Sequence, residues 1–289
     1  MTVAEALRDG ASLLVAAGID NPRLEARLLL AHALGCEPIA LIRDLTAPID
    51  TGAYDALLRR RASHEPLAYL VGRREFWSLD LAVSPATLIP RPDSETLVEA
   101  ALAAWGGRPG PCLVLDLGTG TGCLLLAILH DIPGAYGVGV DRAAAATALA
   151  AANAARIGLA DRAYFVTGDW ANAINGPFDL IVSNPPYIPT REIDILMPEV
   201  GRHEPALALD GGADGMEAYR TIIPTLAGLL APDGTAVLEL GLGQDGPVGE
   251  LARTCGFTAA FRADLSGIAR AIVLRSAETK KNRLAEWDR

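Results

Sequence analysis

Residues 112–129 read CLVLDLGTGTGCLLLAIL. Cys112–Leu117 is an apolar run of strand length that carries one acid, Asp116. Gly118-Thr119-Gly120-Thr121-Gly122 follows, and then Cys123–Leu129, a run of good helix formers. Glycines let the backbone turn sharply and come close to a ligand. The stretch therefore predicts a strand, a tight turn and a helix. Apolar runs of strand length recur downstream at Tyr136–Val140, Ala163–Val166, Phe178–Val182, Thr235–Leu240, Phe257–Phe261 and Ile268–Leu274. The alanine-rich segment 143–156 predicts a second helix among them. Strands alternating with helices imply an α/β fold with a mainly parallel sheet covered on both faces. Only a short segment separates the last two runs, so the sheet is expected to end in an antiparallel hairpin.

Upstream the pattern differs. Leu24, Leu28, Ala31 and Leu34 recur at helical spacing. Asn21-Pro22 offers a helix start and Gly35 a stop. Residues 1–74 read as a small helical domain. In residues 75–83, EFWSLDLAV, apolar residues alternate as in a strand, and Pro85, Pro90 and Pro92 follow. Residues 75–90 are expected to form a hairpin linker, and 91–289 a ligand-binding domain. The polar tail from Ala277 is expected to fray.

The 289 residues are 51% hydrophobic and 21% charged, which fits a folded chain with an ordinary surface and no global disorder. No apolar run reaches the length of a membrane helix, and the first ten residues lack the apolar region of a signal peptide. The four cysteines are widely spaced with no Cys-x-x-Cys, which argues against a disulfide scaffold or a zinc site. The expectation is a cytoplasmic protein with no metal. Residues 1–75 hold 9 Lys+Arg and 10 Asp+Glu, and the remainder 16 and 25. A net −9 over the second part is poorly suited to a phosphate backbone. Arg59-Arg60-Arg61 reads as a solvated helix face, with a basic contact for a protein partner as the alternative, and His32 and His64 as surface or capping residues.

Three segments carry chemistry. Asp141 ends the second strand, where an acid can accept both ribose hydroxyls; it can equally cap the helix at 143–156. The Gly-x-Gly-x-Gly spacing need not cradle a pyrophosphate, which favours an adenosine ligand without phosphates, and no P-loop is present. Asp169-Trp170 follows the third strand and can flank a purine; a turn and a core Trp is the plainer alternative. Ser183-Asn184-Pro185-Pro186-Tyr187 follows the fourth strand. Two prolines fix φ and remove two donors, so the Pro185 carbonyl stays available. Asn184 adds a side-chain acceptor and Tyr187 a flat ring. Together they form a rigid slot for a planar NH2 group.

This set resembles the amino-group methyltransferases that use S-adenosylmethionine. The flanking segments Glu65–Gly72, Arg74–Trp77, Leu88–Pro92 and His203–Gly212 resemble the peptide chain release factor N5-glutamine methyltransferase family, over about residues 60–275. The resemblance implies a Rossmann-like methyltransferase fold with a seven-stranded sheet. It implies methyl transfer to the glutamine of the Gly-Gly-Gln loop of class 1 release factors, in translation termination. The helical domain then docks the protein substrate, and a monomer is expected. It also implies cofactor contacts at Gly118, Thr119, Gly120, Thr121, Gly122, Asp141, Asp169, Trp170 and Asn184, with S-adenosylhomocysteine as product. Asn184, Pro185, Pro186 and Tyr187 would hold the substrate amide. Two positions depart from the family pattern: Asp93-Ser94-Glu95 keeps a hydroxyl where Thr is usual, and Ala143 stands where a Ser is common. A related family methylates a glutamine of a large-subunit ribosomal protein, and adenine-N6 DNA methyltransferases share the slot. Arg91-Pro92-Asp93 favours the release factor enzyme. A DNA enzyme should also show a target-recognition domain and a basic groove.

Overall fold

The computed structural model describes residues 1–277; the tail beyond, expected to fray, lies outside the described residues. The described residues form two compact units, 1–73 with 196–203, and 74–195 with 204–277.

The first unit is helical: α1 (Val3–Ala16), α2 (Pro22–Ala33), α3 (Gly52–Ala62) and α4 (Leu67–Val71). Thr2 and Glu5 form a reciprocal capping box that satisfies two orphan donors at the start of α1. Pro22 opens α2, Asn21 makes no side-chain cap bond, and Gly35 follows at φ +63°. The inward stripe of α2 is Ala26, Leu29, Leu30 and Ala31; Leu24 and Leu34, expected in the stripe, are exposed. Arg61 also departs from expectation. It is buried and bonds Glu25 (2.5 Å) and Glu199 (3.1 Å), with His64 Nδ1 also 3.1 Å from Glu199. Successive helix residues point about 100° apart, so three arginines in a row cannot all face water once two sides are packed. Residues 196–203 join this unit through Glu199, which nothing in their local sequence announces.

The second unit opens with β1 (Arg73–Phe76) and β2 (Leu79–Ala82), paired as a hairpin. Its two turn residues, Trp77 and Ser78, both have positive φ, the conformation that matches strand twist in a two-residue turn. This is no free linker. Phe76, Leu79 and Leu81 are buried in the core of the unit. Helix α5 (Glu95–Trp105) follows, then β3 (Cys112–Leu117), α6 (Cys123–Asp131), β4 (Ala135–Asp141), α7 (Ala144–Arg156), β5 (Ala163–Thr167), β6 (Phe178–Ser183), β7 (Leu230–Glu239), β8 (Phe257–Ala263) and β9 (Ala269–Ser276). Short helices lie between β6 and β7, and the helix Asp245–Thr254 precedes β8.

The seven strands run in the order β5-β4-β3-β6-β7-β9-β8. The β3, β4, β5, β6 and β7 pairings are parallel; β9 pairs antiparallel with both β7 and β8. Strand alternation feeds two cores. Val114, Leu180, Val182 and Val237 pack with α5 and α6, while Leu115, Ile181, Ala236 and Leu238 pack with Tyr219, Ile222 and Val248. Leu124–Leu129 of α6 are all buried, as expected of a helix that is apolar all round. Each such leucine contributes roughly 1.5–3 kcal/mol. The chain turns back at β3, whose neighbours β4 and β6 lie on opposite sides, so the helices after β3 and β6 leave a crevice at the carboxyl edge.

Asn153 of α7 ties that crevice to the hairpin. Fully buried, it accepts from Ala82 N–H (2.7 Å) and donates to the Ala82 (3.0 Å) and Thr121 (2.9 Å) carbonyls. Asn153→Ala leaves three backbone groups unpaired and is expected to cost roughly 3 kcal/mol. Urea denaturation checks this; a loss under about 1 kcal/mol would mean the groups find other partners.

Candidate active site

The glycine turn is held from below by β4. Gly118 and Thr119 N–H both donate to the Val140 carbonyl at 2.9 Å. Gly118, Gly120 and Gly122 have φ of +77°, +54° and +82°, which side chains rarely tolerate. A Cβ on Gly139 of β4 would lie 2.7 Å from both Thr119 Oγ1 and the Phe165 ring, so the close approach of turn and strand needs glycine there.

Asp141 accepts the Gly120 N–H through Oδ2 and the Ala143 N–H through Oδ1, each at 2.9 Å. It thus caps the start of α7, where Ala143 itself has no side-chain oxygen to offer. Each carboxylate oxygen keeps a further lone pair for a ligand. Behind the turn, Thr119 Oγ1 donates to Asp116 Oδ2 at 2.7 Å. Asp116 is buried, and Oδ1 is left without a hydrogen bond of good geometry. Burial, with the Asp141 charge adding, pushes its carboxyl up to about 7.

Asp116→Asn is therefore expected to stabilise the cofactor-free protein more at pH 8 than at pH 5. The unfolded carboxyl titrates near its ordinary value, so between that value and about 7 the native state binds more protons. Wild-type stability falls as pH rises through this window, and the amide removes the fall, on the order of 3 kcal/mol. Urea unfolding at both pH values decides it; an equal difference between variant and wild type would exclude a raised carboxyl.

At the end of β6, Ser183 Oγ donates to the Leu117 carbonyl (2.6 Å) and binds the two strand ends together. Asn184 Nδ2 donates to Ser94 Oγ (3.2 Å), and Ser94 Oγ donates to Glu239 Oε2 (2.6 Å). Tyr187 donates its hydroxyl to Glu239 Oε1 (3.3 Å). Among the described residues no hydrogen bond reaches Asn184 Oδ1, and no backbone N–H donates to the Pro185 carbonyl. The loop is held from behind: Gln244 Nε2 donates to the Tyr187 carbonyl (3.0 Å), and Ile188 bonds Leu209 and Gly211. A Cβ on Gly211 would lie 2.8 Å from the Tyr187 Cα, so this wall also needs glycine.

A cavity of about 320 Å³ joins the two ends of the site within the second unit. Gly118, Thr119, Gly120, Thr121, Asp141, Trp170, Asn184 and Pro186 line it, with Ser94 and Arg91. Gly122, Asp169, Pro185 and Tyr187 do not. Gly122 packs instead, its missing Cβ lying 3.2 Å from Ala150 and Leu126. Asp169 is exposed and pairs with Arg142 at 3.4 Å. The chain turns at Trp170 (φ +48°), which brings the Trp ring over Gly118 and leaves the Asp169 carboxylate in solvent. Trp170 is partly buried and also touches the core. Glu204 holds the far wall: it is buried, accepts the Ile89 N–H at 3.1 Å and pairs with Arg91.

Ser94 and Glu239, which the sequence does not place at the slot, bond Asn184 and Tyr187 there. Ser94 was read as a family departure only. Glu239 carries a visible signal, a lone acid in the apolar run 236–240, AVLEL. It is 2% exposed, and burial pushes its carboxyl up to about 7 against the pull of the Ser94 and Tyr187 bonds and the Arg270 charge.

A profile described as the PrmC N-terminal domain matches residues 5–72, and one described as the methyltransferase small domain matches 106–199. The chain is 48% identical over 270 residues to the release factor glutamine methyltransferase of Rhodospirillum rubrum, covering 92% of this chain and 82% of that protein. It is 44% identical to the release factor glutamine methyltransferase of Bradyrhizobium diazoefficiens, covering 95% of each. The chain belongs to the release factor glutamine methyltransferase family. The fold is shared more widely. The hMettl16 catalytic domain in complex with MAT2A 3′UTR hairpin 6 superposes with a TM-score of 0.58 at 18% identity, over 76% of this chain and 82% of that one. A methyltransferase from Pyrococcus furiosus gives 0.50 at 17% identity, over 68% and 88%.

The enzyme is a methyltransferase whose donor is S-adenosylmethionine. The residues present fit that donor. It carries a sulfonium, an ammonium and a ribose diol, and the cavity offers the Asp141 carboxylate with the under-bonded Asp116 behind it. A Cβ on Gly120 would meet nothing within 4 Å, so the turn is open on the cavity side. No group of His, Cys, Asp and Glu that could hold a metal occurs among the described residues, and none of their helices is long and apolar enough to cross a membrane.

Proposed function

We propose that the enzyme methylates the side-chain amide nitrogen of the glutamine in the Gly-Gly-Gln loop of class 1 release factors. The observation that carries this is the free Asn184 Oδ1 at a cavity that also holds the glycine turn, with the unclaimed Pro185 carbonyl next to it in the chain. Bound in that cavity, S-adenosylmethionine supplies an electrophilic methyl group on sulfur.

An amide nitrogen is a poor nucleophile because its lone pair is shared with the carbonyl. Asn184 Oδ1 and the Pro185 carbonyl accept its two hydrogens and hold the nitrogen in line with the S–CH3 bond, and such positioning lowers the barrier by several kcal/mol. They also stabilise the positive charge that grows on nitrogen. Tyr187, outside the cavity lining, supports the slot from behind through its hydroxyl bond to Glu239. Gly118, Thr119, Gly120 and Thr121 line the donor, Asp141 holds the ribose hydroxyls, and Trp170 bounds the adenine. Gly122 acts by packing, and Asp169 by pairing with Arg142 at the rim. The nitrogen becomes strongly acidic once methylated, so loss of its proton needs no dedicated base.

The helical residues 1–74 supply docking area for a protein substrate, since one loop offers little. The reaction belongs to the cytoplasm, where release factors act. The acidic residues 76–289 are poorly suited to DNA or RNA as substrate.

The test is methyl transfer from labelled S-adenosylmethionine to unmethylated release factor, with the modified peptide mapped by mass spectrometry. Label on the loop glutamine, absent from a Gln→Ala loop variant, is the expected result. Label on a large-subunit ribosomal protein or on DNA instead would replace the substrate.

A further inference from the structure

An asparagine amide has an acceptor on one side and a donor on the other. Turning it by 180° exchanges them with almost no change in shape. Toward a substrate NH2 the difference is decisive, because Oδ1 accepts its hydrogen while Nδ2 confronts it with two more. Something must hold Asn184 the right way round, and its own loop does not: two prolines follow it, and neither offers an N–H.

The neighbour that faces Asn184 is Ser94, buried at the start of α5 and 90 residues away in the chain. A serine hydroxyl alone would not choose, since it can donate to Oδ1 or accept from Nδ2. Glu239 removes that choice. Its Oε2 lies 2.6 Å from Ser94 Oγ and accepts the Ser94 O–H hydrogen bond, so only lone pairs are left toward Asn184. Only Nδ2 fits against them. The same carboxylate accepts the Tyr187 hydroxyl hydrogen bond through Oε1, so one buried acid holds both polar side chains of the slot. Its own place is secured, because the Tyr219 hydroxyl donates to the Glu239 backbone carbonyl (2.8 Å). Burial raises the Glu239 carboxyl, and the charge of Arg270, itself held by Asp93 (3.1 Å) and Asp264 (3.0 Å), pulls the other way.

We propose that Ser94 and Glu239 are positioning residues for methyl transfer: Glu239 fixes the direction of the Ser94 hydroxyl, and Ser94 thereby presents Asn184 Oδ1, not Nδ2, to the substrate amide. This rests on the glutamine-methylation reading above. It adds to that reading two residues that touch neither the reacting nitrogen nor the methyl group.

The experiment compares wild type, Ser94→Ala, Ser94→Thr and Glu239→Gln in single-turnover methyl transfer to release factor. S-adenosylhomocysteine affinity is measured by calorimetry, and thermal unfolding checks each fold. Ser94→Ala is expected to slow transfer about 10–100-fold, the loss expected when a preorganised acceptor is set free to flip, with affinity within about twofold of wild type. Ser94→Thr, which keeps the hydroxyl, should recover the rate to within about threefold. Glu239→Gln can accept from only one of Ser94 and Tyr187, and should slow transfer about tenfold even if Ser94→Ala fails to fold. A Ser94→Ala rate near wild type, a Ser94→Thr rate as low as Ser94→Ala, or a loss confined to cofactor affinity would overturn the inference. So would a folded Glu239→Gln with the wild-type rate. No transfer by the wild type would instead remove the functional reading together with this one.

Discussion

Asn184→Ala is expected to lower the single-turnover rate of methyl transfer about 10²–10³-fold, the usual cost of one preorganised polar group at a reacting centre. Cofactor affinity should stay within roughly twofold, because the variant leaves the glycine turn and its bonds to Val140 and Asp141 untouched. The loss arises in two ways. The substrate nitrogen loses an acceptor for one hydrogen, so its lone pair stays in the amide resonance and its orientation loosens. The Ser94 hydroxyl also loses its Asn184 donor while remaining bonded to Glu239. Single-turnover kinetics with cofactor in excess, beside calorimetry with S-adenosylhomocysteine, separates chemistry from binding. Loss of cofactor binding with normal single-turnover chemistry would sink the assignment.

Asp141→Ala is expected to act on the other ligand, raising the S-adenosylhomocysteine Kd on the order of 10²-fold. A charge-assisted hydrogen bond is worth about 1.5–3 kcal/mol, and each 1.4 kcal/mol is tenfold. Asp141 also accepts the Gly120 and Ala143 N–H groups, so its removal frees the middle of the turn and uncaps α7. Transfer at saturating cofactor should return to within several-fold of wild type, since Asn184 and Pro185 keep their places. An unchanged Kd would show that Asp141 serves only as a cap, the plainer alternative from sequence.

The strands and the slot were legible because they are local. The apolar runs, the glycine turn and Asn184-Pro185-Pro186-Tyr187 each carry their signal within a few residues, and the order of strands and helices implies which edge they share. Where the expectations were displaced, the deciding partner was distant. Leu24 and Leu34 match a helical repeat, yet the packing of α1 and α3 selects the stripe through Leu29 and Leu30. Arg61 sits in a basic run that reads as surface until Glu25 and Glu199 meet it. Asp169 and Trp170 are adjacent, but the positive φ at Trp170 sends one to the cavity and the other to Arg142.

The amino-acid order alone thus determined the α/β class, the seven strand runs and the glycine turn after the first of them, since each follows from backbone constraints and side-chain chemistry within one segment. Only the tertiary structure decided which partner meets the Asn184 amide. The direction of the Asn184 amide depends on Ser94 and Glu239, brought together from three separate segments of the chain. A hydrogen bond fixes direction only when both partners and their distance are known, and no local pattern carries that distance.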